Sequence, residues 1–433
     1  MNNIPHISEA IQTILTTTAD QVAQKTGFTK RQSKLTGSAF VQTLVLGWLN
    51  DPQASLDNLT SMAAQLGVSI SAQGLDQRFS AHSGACLHQV LDAAVSQVIG
   101  GEAVALPVLK RFSAVYLQDS TTIGLPPDFA HLWPGGGQEA AVKLQVRIDY
   151  LHGTLLGPFL QAAKRHDRAS VVQHMPVPRG AIRLADLGYF SLDCLNHIDI
   201  NGGFYLSRVQ VQTHLFDQKE RHLDLPKWLA HQHKDEIDMP ILLGKQHRIK
   251  ARLIAWRMPE QVAQERRRKC LWQASRKGQK PSKARLALCD WTLLVTNTPQ
   301  HLLALQDAQR LARLRWQIEL LFKLWKSHGQ IDKSKSQNPW RILTEVYAKI
   351  IGLIIQHWIF LTRLWHYPDK SLVKAAQIVR KQAVLIAAAI SPVNPIKMSE
   401  VLKIIQSCLE RGCRMNTKKK IPNTYQLLMA LNS

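Results

Sequence analysis

The run Arg315-Trp316-Gln317-Ile318-Glu319-Leu320-Leu321-Phe322-Lys323-Leu324-Trp325-Lys326 decides how this chain is read. His301 to Gly329 reads as one long helix. On it Arg315, Glu319 and Lys326 stand at i, i+4 and i+11 and share a stripe. One acid is flanked by two bases. A carboxylate holds a hard metal ion, and the bases hold the phosphates that the metal activates. Two further acids, Asp119 and Asp186, end strand-like segments upstream. Acids at adjacent strand ends, joined by Glu319 from a helix, suit two divalent ions about 4 Å apart. Such ions clamp the attacking and leaving oxygens of an in-line displacement. Oxygen ligands favour magnesium, with manganese as a substitute. A lone Asp at a strand end also reads as a cap or turn residue.

Charge points to the partner. Lys plus Arg number 54 against 31 Asp plus Glu, a net charge of +23 over 433 residues. Such a balance calls for a polyanion, with nucleic acid as the default. No amphipathic basic anchor supports a membrane surface instead. The hydrophobic share of 45% argues for a globular rather than a disordered chain, and 433 residues are enough for two or three domains. The six cysteines are scattered without a CxxC pair and read as free thiols in a reducing cytoplasm. Met1 to Asp20 lacks an apolar leader core. The most apolar run, Ile350 to Leu361, carries Gln356 and His357 and fits a buried helix.

Residues 1–100 read as all-helical, with a basic patch at Lys30, Arg31 and Lys34. A helix from Ser55 to Gly67, a turn and a helix from Ser71 to Phe79 outline a helix-turn-helix or an ordinary helical hairpin. From Leu106 the texture becomes strand-like. Strands are expected at 113–119, 142–150, 154–162, 182–186 and 203–209, with Gly153 turning the hairpin between the second and third. Residues 211–300 read as a β-rich insertion, with strands at 239–243, 249–256 and 286–297. A basic stretch within it includes Arg266, Arg267, Arg268, Arg276 and Lys277. It is a phosphate-binding surface or a solvated helix and loop. Trp272 and Trp291 within or beside it favour nucleic acid. The chain is helical again after Gln300, in segments at 340–366, 370–389 and 396–411. Lys418 to Lys420 read as a solvated tail.

These motifs resemble a known family. Asp119-Ser120-Thr121-Thr122, then Asp186-x-Gly188-Tyr189-Phe190-Ser191, then Arg315-Trp316-x-Ile318-Glu319-x6-Lys326 look like the three signatures of DDE transposases of bacterial insertion sequences. The most similar group is the one marked by a Tyr-Arg-Glu-Lys motif, the insertion-sequence-four type. The resemblance covers about residues 105–330. It implies an α/β fold with a ribonuclease H-like catalytic core at 105–335, interrupted by the β-rich insertion 211–300. An all-helical DNA-binding domain at 1–100 and a helical C-terminal region at 336–433, a candidate for dimerisation, would flank that core. Asp119, Asp186 and Glu319 would be catalytic and hold Mg2+. Arg315 and Lys326 would hold phosphates, with Tyr189, Lys323 and Arg266 to Arg268 as further DNA-binding candidates. Trp291 matches a tryptophan that stacks on a flipped base in hairpin-forming members; the other reading is a core residue on a buried strand. One departure stands out: the family tyrosine falls at position 312, where this chain has Ala312.

The activity implied is cut-and-paste transposition by a cytoplasmic homodimer. It would bind inverted-repeat ends of double-stranded DNA, cleave them through a hairpin and join the 3′ ends to target DNA. The alternatives are a structure-selective nuclease on the same fold, and a DNA-binding regulator or decayed copy without cleavage.

Overall fold

The computed structural model describes residues 3–31, 34–210, 212–276, 278–390, 395–416 and 426, so Lys277 and Lys418 to Lys420 lie outside the described residues. Ten strands are present among the described residues. They are β1 (Val115–Leu125), β2 (Ala140–Asp149), β3 (Thr154–Ala162), β4 (Ile182–Ala185), β5 (Phe204–Arg208), β6 (Leu215–Phe216), β7 (His222–Leu223), β8 (Glu236–Leu243), β9 (Ile249–Arg257) and β10 (Trp291–Thr296). The chain forms two compact units. Of the described residues, one holds those within 3–106, 119–166 and 316–426, and the other those within Pro107–Gln118 and Asp167–Arg315. Strand β1 runs through both, its first four residues in the second unit and the rest in the first.

The second unit is built on a mixed sheet in the order β1-β4-β5-β10-β9-β8-β6-β7. β1, β4 and β5 are parallel, in register from Val115↔Ile182 to Gln118↔Ala185 and from Ile182↔Phe204 to Leu184↔Leu206. β10 then pairs antiparallel to β5 and to β9. The segment 211–300 therefore extends the sheet of the parallel strands. Its core gathers Leu195, Tyr205, Ile241, Leu253, Trp291 and Val295. This mixed α/β layout is consistent with a ribonuclease H-like transposase core.

The first unit contains β3-β2-β1 with its share of β1. β2 and β3 form the expected hairpin. Gly153 turns it at φ +71°, where a Cβ would lie 2.5 Å from Leu361 and 2.7 Å from Trp365, so only glycine fits. The rest is helical. The helix Pro339–Phe360 is long and apolar enough to cross a membrane, but its window is 94% buried inside the unit. It packs against the helices Gly37–Asn50 and Ala81–Val95. Residues 1–106 thus share a unit with the described C-terminal helices.

Local signals act as chemistry requires. Ser55 caps the helix Leu56–Gln65 through a reciprocal box with Asn58, and Gly67 leaves it at φ +78°. The second helix of the expected pair spans only Ala72–Asp76.

Four expectations are corrected. β1 does not end at Asp119 but runs to Leu125, because Thr121, Thr122 and Ile123 are β-branched and suit a pleated surface. Residues 286–290 are not strand: a short helix Lys283–Ala287, capped by Ser282, and a 3-10 turn precede β10. The segment 301–329 is two helices, Leu305–Leu314 and Trp316–Ser327, interrupted at Arg315. Each buries its own apolar stripe in its own unit, Leu305, Ala308, Leu311 and Leu314 in one and Ile318, Leu321, Phe322 and Trp325 in the other. The helix expected at 370–389 is likewise two, Leu372–Lys381 and Ala383–Ala389.

Candidate active site

The three acids fall on different elements. Asp119 lies within β1 and is half-buried; its Oδ1 accepts the Ser120 N–H at 2.8 Å. Asp186 directly follows β4 and opens the 3-10 turn Leu187–Tyr189, yet its side chain makes no capping hydrogen bond. The structural task that most often explains such an aspartate is therefore not performed by this carboxylate. Glu319 is half-buried in the first turn of the helix Trp316–Ser327 and Lys326 in its last turn. An acid near the N-terminus and a base near the C-terminus both suit the helix dipole.

Within the first unit, Lys326 Nζ donates to the Thr122 carbonyl at 2.8 Å. The bond ties the Glu319 helix to β1 three residues beyond Asp119. Lys326, expected to hold phosphate, is engaged with the protein here. The acceptor is a backbone group, so no residue pattern could have foretold it. Within the second unit, the last parallel pair is Gln118↔Ala185. In the chain, Asp119 follows Gln118 within β1, and Asp186 follows Ala185, the last residue of β4.

The candidate DNA contacts divide by exposure. Lys323 is exposed on the Glu319 helix, and Arg315 is half-buried at the C-cap of the preceding helix. Tyr189 is only 1% exposed. Trp291 is 5% exposed in the core of its unit, with the Arg257 guanidinium 4.7 Å from the ring centre. In this conformation its face meets protein. The three consecutive arginines of the helix Glu260–Ser275 differ. Arg266 donates to the Trp291 carbonyl and the Thr292 hydroxyl, at 3.1 and 3.0 Å. Burial, with Arg208 nearby, holds its pKa below the usual value. Arg267 pairs with Asp290 and Glu260. Arg268 is exposed, as are Lys269, Arg276, Lys280, Lys283 and Arg285. Trp272, on the same helix, is 59% exposed, and the Arg276 guanidinium lies 4.9 Å from its ring centre.

Comparison with known proteins places this arrangement. Residues 110–355 match the family described as Transposase DDE domain. The chain belongs to the transposase DDE domain family. The matched span holds both strand aspartates, the whole sheet and the Glu319 helix. The chain is similar to the transposase for insertion sequence element IS231C of Bacillus thuringiensis subsp. berliner, at 29% identity over 78% of this chain and 75% of the relative. It is similar at 27% identity, with the same coverage, to the transposase for IS231B from that subspecies. The transposase for IS1151 of Clostridium perfringens is 23% identical over 79% and 78%.

A DDE-family chain implies divalent metal. Among the described residues, no three His, Cys, Asp or Glu side chains are gathered as a ready metal cage. The donor chemistry of Asp119, Asp186 and Glu319 nevertheless fits a hard cation: three carboxylates, each partly open to solvent.

Proposed function

We propose that this chain is the transposase of a bacterial insertion sequence. It binds the inverted-repeat ends of its element, cleaves them and joins the freed 3′ ends to target DNA. The observation that supports the reading is the match of residues 110–355 to the transposase DDE domain family, a span that holds all three acids. Asp119 and Asp186 each follow the last residue of a parallel pair, and side chains alternate along strands. Val115 and Leu117 pair with Ile182 and Leu184; Asp119 continues their alternation on β1, and Asp186 directly follows β4. Lys326 supports the third member. Glu319 is seven residues from it, about 10 Å along a helix. Asp119 is three residues from Thr122, about 10 Å along a strand. The Lys326–Thr122 bond ties the helix of Glu319 to the strand of Asp119.

Asp119, Asp186 and Glu319 would hold the divalent ions, with magnesium the expected species. Bound there, the metal supplies Lewis-acid activation of water and charge neutralisation at phosphorus. The chain's own residues do the rest. Arg315 and Lys323 hold phosphates near the acids. The exposed cations from Arg268 to Arg285 track the backbone of the DNA, and Trp272 offers a stacking face beside them. Cleavage proceeds through a hairpin, with the 3′ hydroxyl attacking the opposite strand. Two copies act together, because two ends are joined in one complex, and the site of action is the bacterial cytoplasm.

The test is cleavage of labelled DNA bearing the flanking inverted repeats, with Mg2+, by wild type and by Asp119→Asn, Asp186→Asn and Glu319→Gln. Each variant is expected to lose about 10²-fold or more in nicking while retaining end binding in a gel shift. Wild-type nicking by any one of them removes that residue from the site. Binding without cleavage by wild type itself leaves a DNA-binding regulator.

A further inference from the structure

Behind the two aspartate positions lies a polar network buried in the second unit. Gln118, which precedes Asp119, is 0% exposed; Gln173 and Arg183 are each 3% exposed. Gln173 is the hub. Its Oε1 accepts from Gln118 Nε2 at 3.4 Å and from Arg183 Nη1 at 3.2 Å. Its Nε2 donates to the Tyr189 carbonyl at 3.1 Å, in the turn that Asp186 opens. Arg183 Nη1 also meets Cys194 Sγ at 3.0 Å, on the helix Leu192–Ile200. One amide thus links β1, β4, the turn after β4 and, through Arg183, the next helix.

Such a network is a poor source of stability. Burial pushes the Arg183 guanidinium below its usual pKa, and its Nε has no hydrogen-bond partner. Its polar contacts are an amide oxygen and a thiol, neither a carboxylate. Apolar side chains of the same volume would pack there at no loss or with a gain. What directed bonds supply and apolar packing does not is a fixed geometry. Register places Gln118 and Arg183 on one face of the β1–β4 pair, since Tyr116 pairs with Arg183 and Gln118 with Ala185. Asp119 belongs to the opposite alternation of β1, and Asp186 directly follows β4.

We infer that Gln173 is a positioning residue for metal binding: through Gln118 and the Tyr189 carbonyl it holds the two chain segments that present Asp119 and Asp186. The inference rests on the transposase reading above, and deepens it by naming residues that hold the segments next to two of the proposed metal ligands. Partners behind metal ligands typically govern 10- to 100-fold in metal affinity.

The experiment is a Mn2+ titration of the full chain, read by electron paramagnetic resonance with the DNA end bound, beside the Mg2+ dependence of nicking. Gln173→Leu is expected to raise the metal midpoint at least tenfold in both readouts, with end binding and thermal melting cooperativity retained. Gln118→Leu, which removes one arm only, is expected to shift it less and is the fallback should Gln173→Leu not fold. Leu229→Ala, a buried position of the same unit, lowers stability without touching the network and is expected to leave the midpoint unchanged. Equal midpoints for wild type, Gln173→Leu and Gln118→Leu overturn the inference, as does an equal shift in Leu229→Ala. Absence of both Mn2+ binding and nicking in wild type overturns the transposase reading, and the inference with it.

Discussion

Two tryptophans of the second unit show how burial sorts residues of one type. Trp291 is 5% exposed among Tyr205, Leu253 and Val295, whereas Trp272 is 59% exposed beside Arg276. Trp291→Ala removes a large core side chain and is expected to cost about 3–5 kcal/mol, read as a fall in the denaturant midpoint. Trp272→Ala is expected to change stability by about 0.5 kcal/mol or less, yet to weaken single-stranded DNA binding by about 1–3 kcal/mol. The reverse pattern would return the stacking role to Trp291. Both residues were legible as candidates beside a basic stretch. Their difference was not, because periodicity in a short strand such as 291–296 does not say which face is covered. Arg266 follows the same logic: in the sequence it is one of three like charges, and in the fold it is a clamp on the Trp291 carbonyl.

At the scale of elements, the helix Pro339–Phe360 carries a buried ion pair. Lys349 Nζ lies 2.7 Å from Glu345, with side chains 2% and 7% exposed. Lys349 also donates to the carbonyls of Gln330 and Lys333, and Ser334 donates to Glu345. The loop that follows the Glu319 helix is therefore pinned to the next helix. Lys349→Met strands a buried carboxylate and is expected to cost about 3–5 kcal/mol; Glu345→Leu with Lys349→Met is expected to recover most of it. Equilibrium unfolding of the three proteins checks this. The same helix holds His357, whose Nε2 lies 2.7 Å from the Gly153 carbonyl of the β2–β3 turn. Burial lowers its pKa from 6.5 to about 4. Folded His357 thus resists the proton that the unfolded chain accepts. Its contribution is fully present above pH 6.5, is lost as pH falls from there toward 4, and amounts to about 3 kcal/mol. Unfolding free energies at pH 7 and pH 4.5 are expected to differ less for His357→Gln than for wild type. An unchanged difference would show that His357 does not titrate in this way.

For the whole molecule, the grouping of residues 1–106 with the helix Pro339–Phe360 is decisive. Helices Gly37–Asn50 and Ala81–Val95 pack on Pro339–Phe360, an apolar helix that water would otherwise meet. Removal of residues 1–106 is therefore expected to yield an aggregating protein without a cooperative melt. Sedimentation and far-UV circular dichroism check it. A soluble, cooperatively melting fragment that has lost only end recognition would restore an autonomous N-terminal domain. The net charge of +23 acts at the same scale, as a long-range attraction for DNA that salt weakens.

The sequence by itself determined the local chemistry. It supplied the three acids in order, the Ser55 cap, the Gly153 turn and the apolar character of the helix that became the centre of the first unit. These follow from side-chain identity and short-range periodicity, which act within a turn or a strand. Tertiary structure alone decided the Gln118↔Ala185 register, the break at Arg315 and the bond from Lys326 to a backbone carbonyl. It also decided that Trp291 turns inward and that the helices Gly37–Asn50 and Ala81–Val95 share a core with Pro339–Phe360. Each of these depends on which distant surfaces exclude water from one another, and residues far apart in the chain carry no local mark of that pairing.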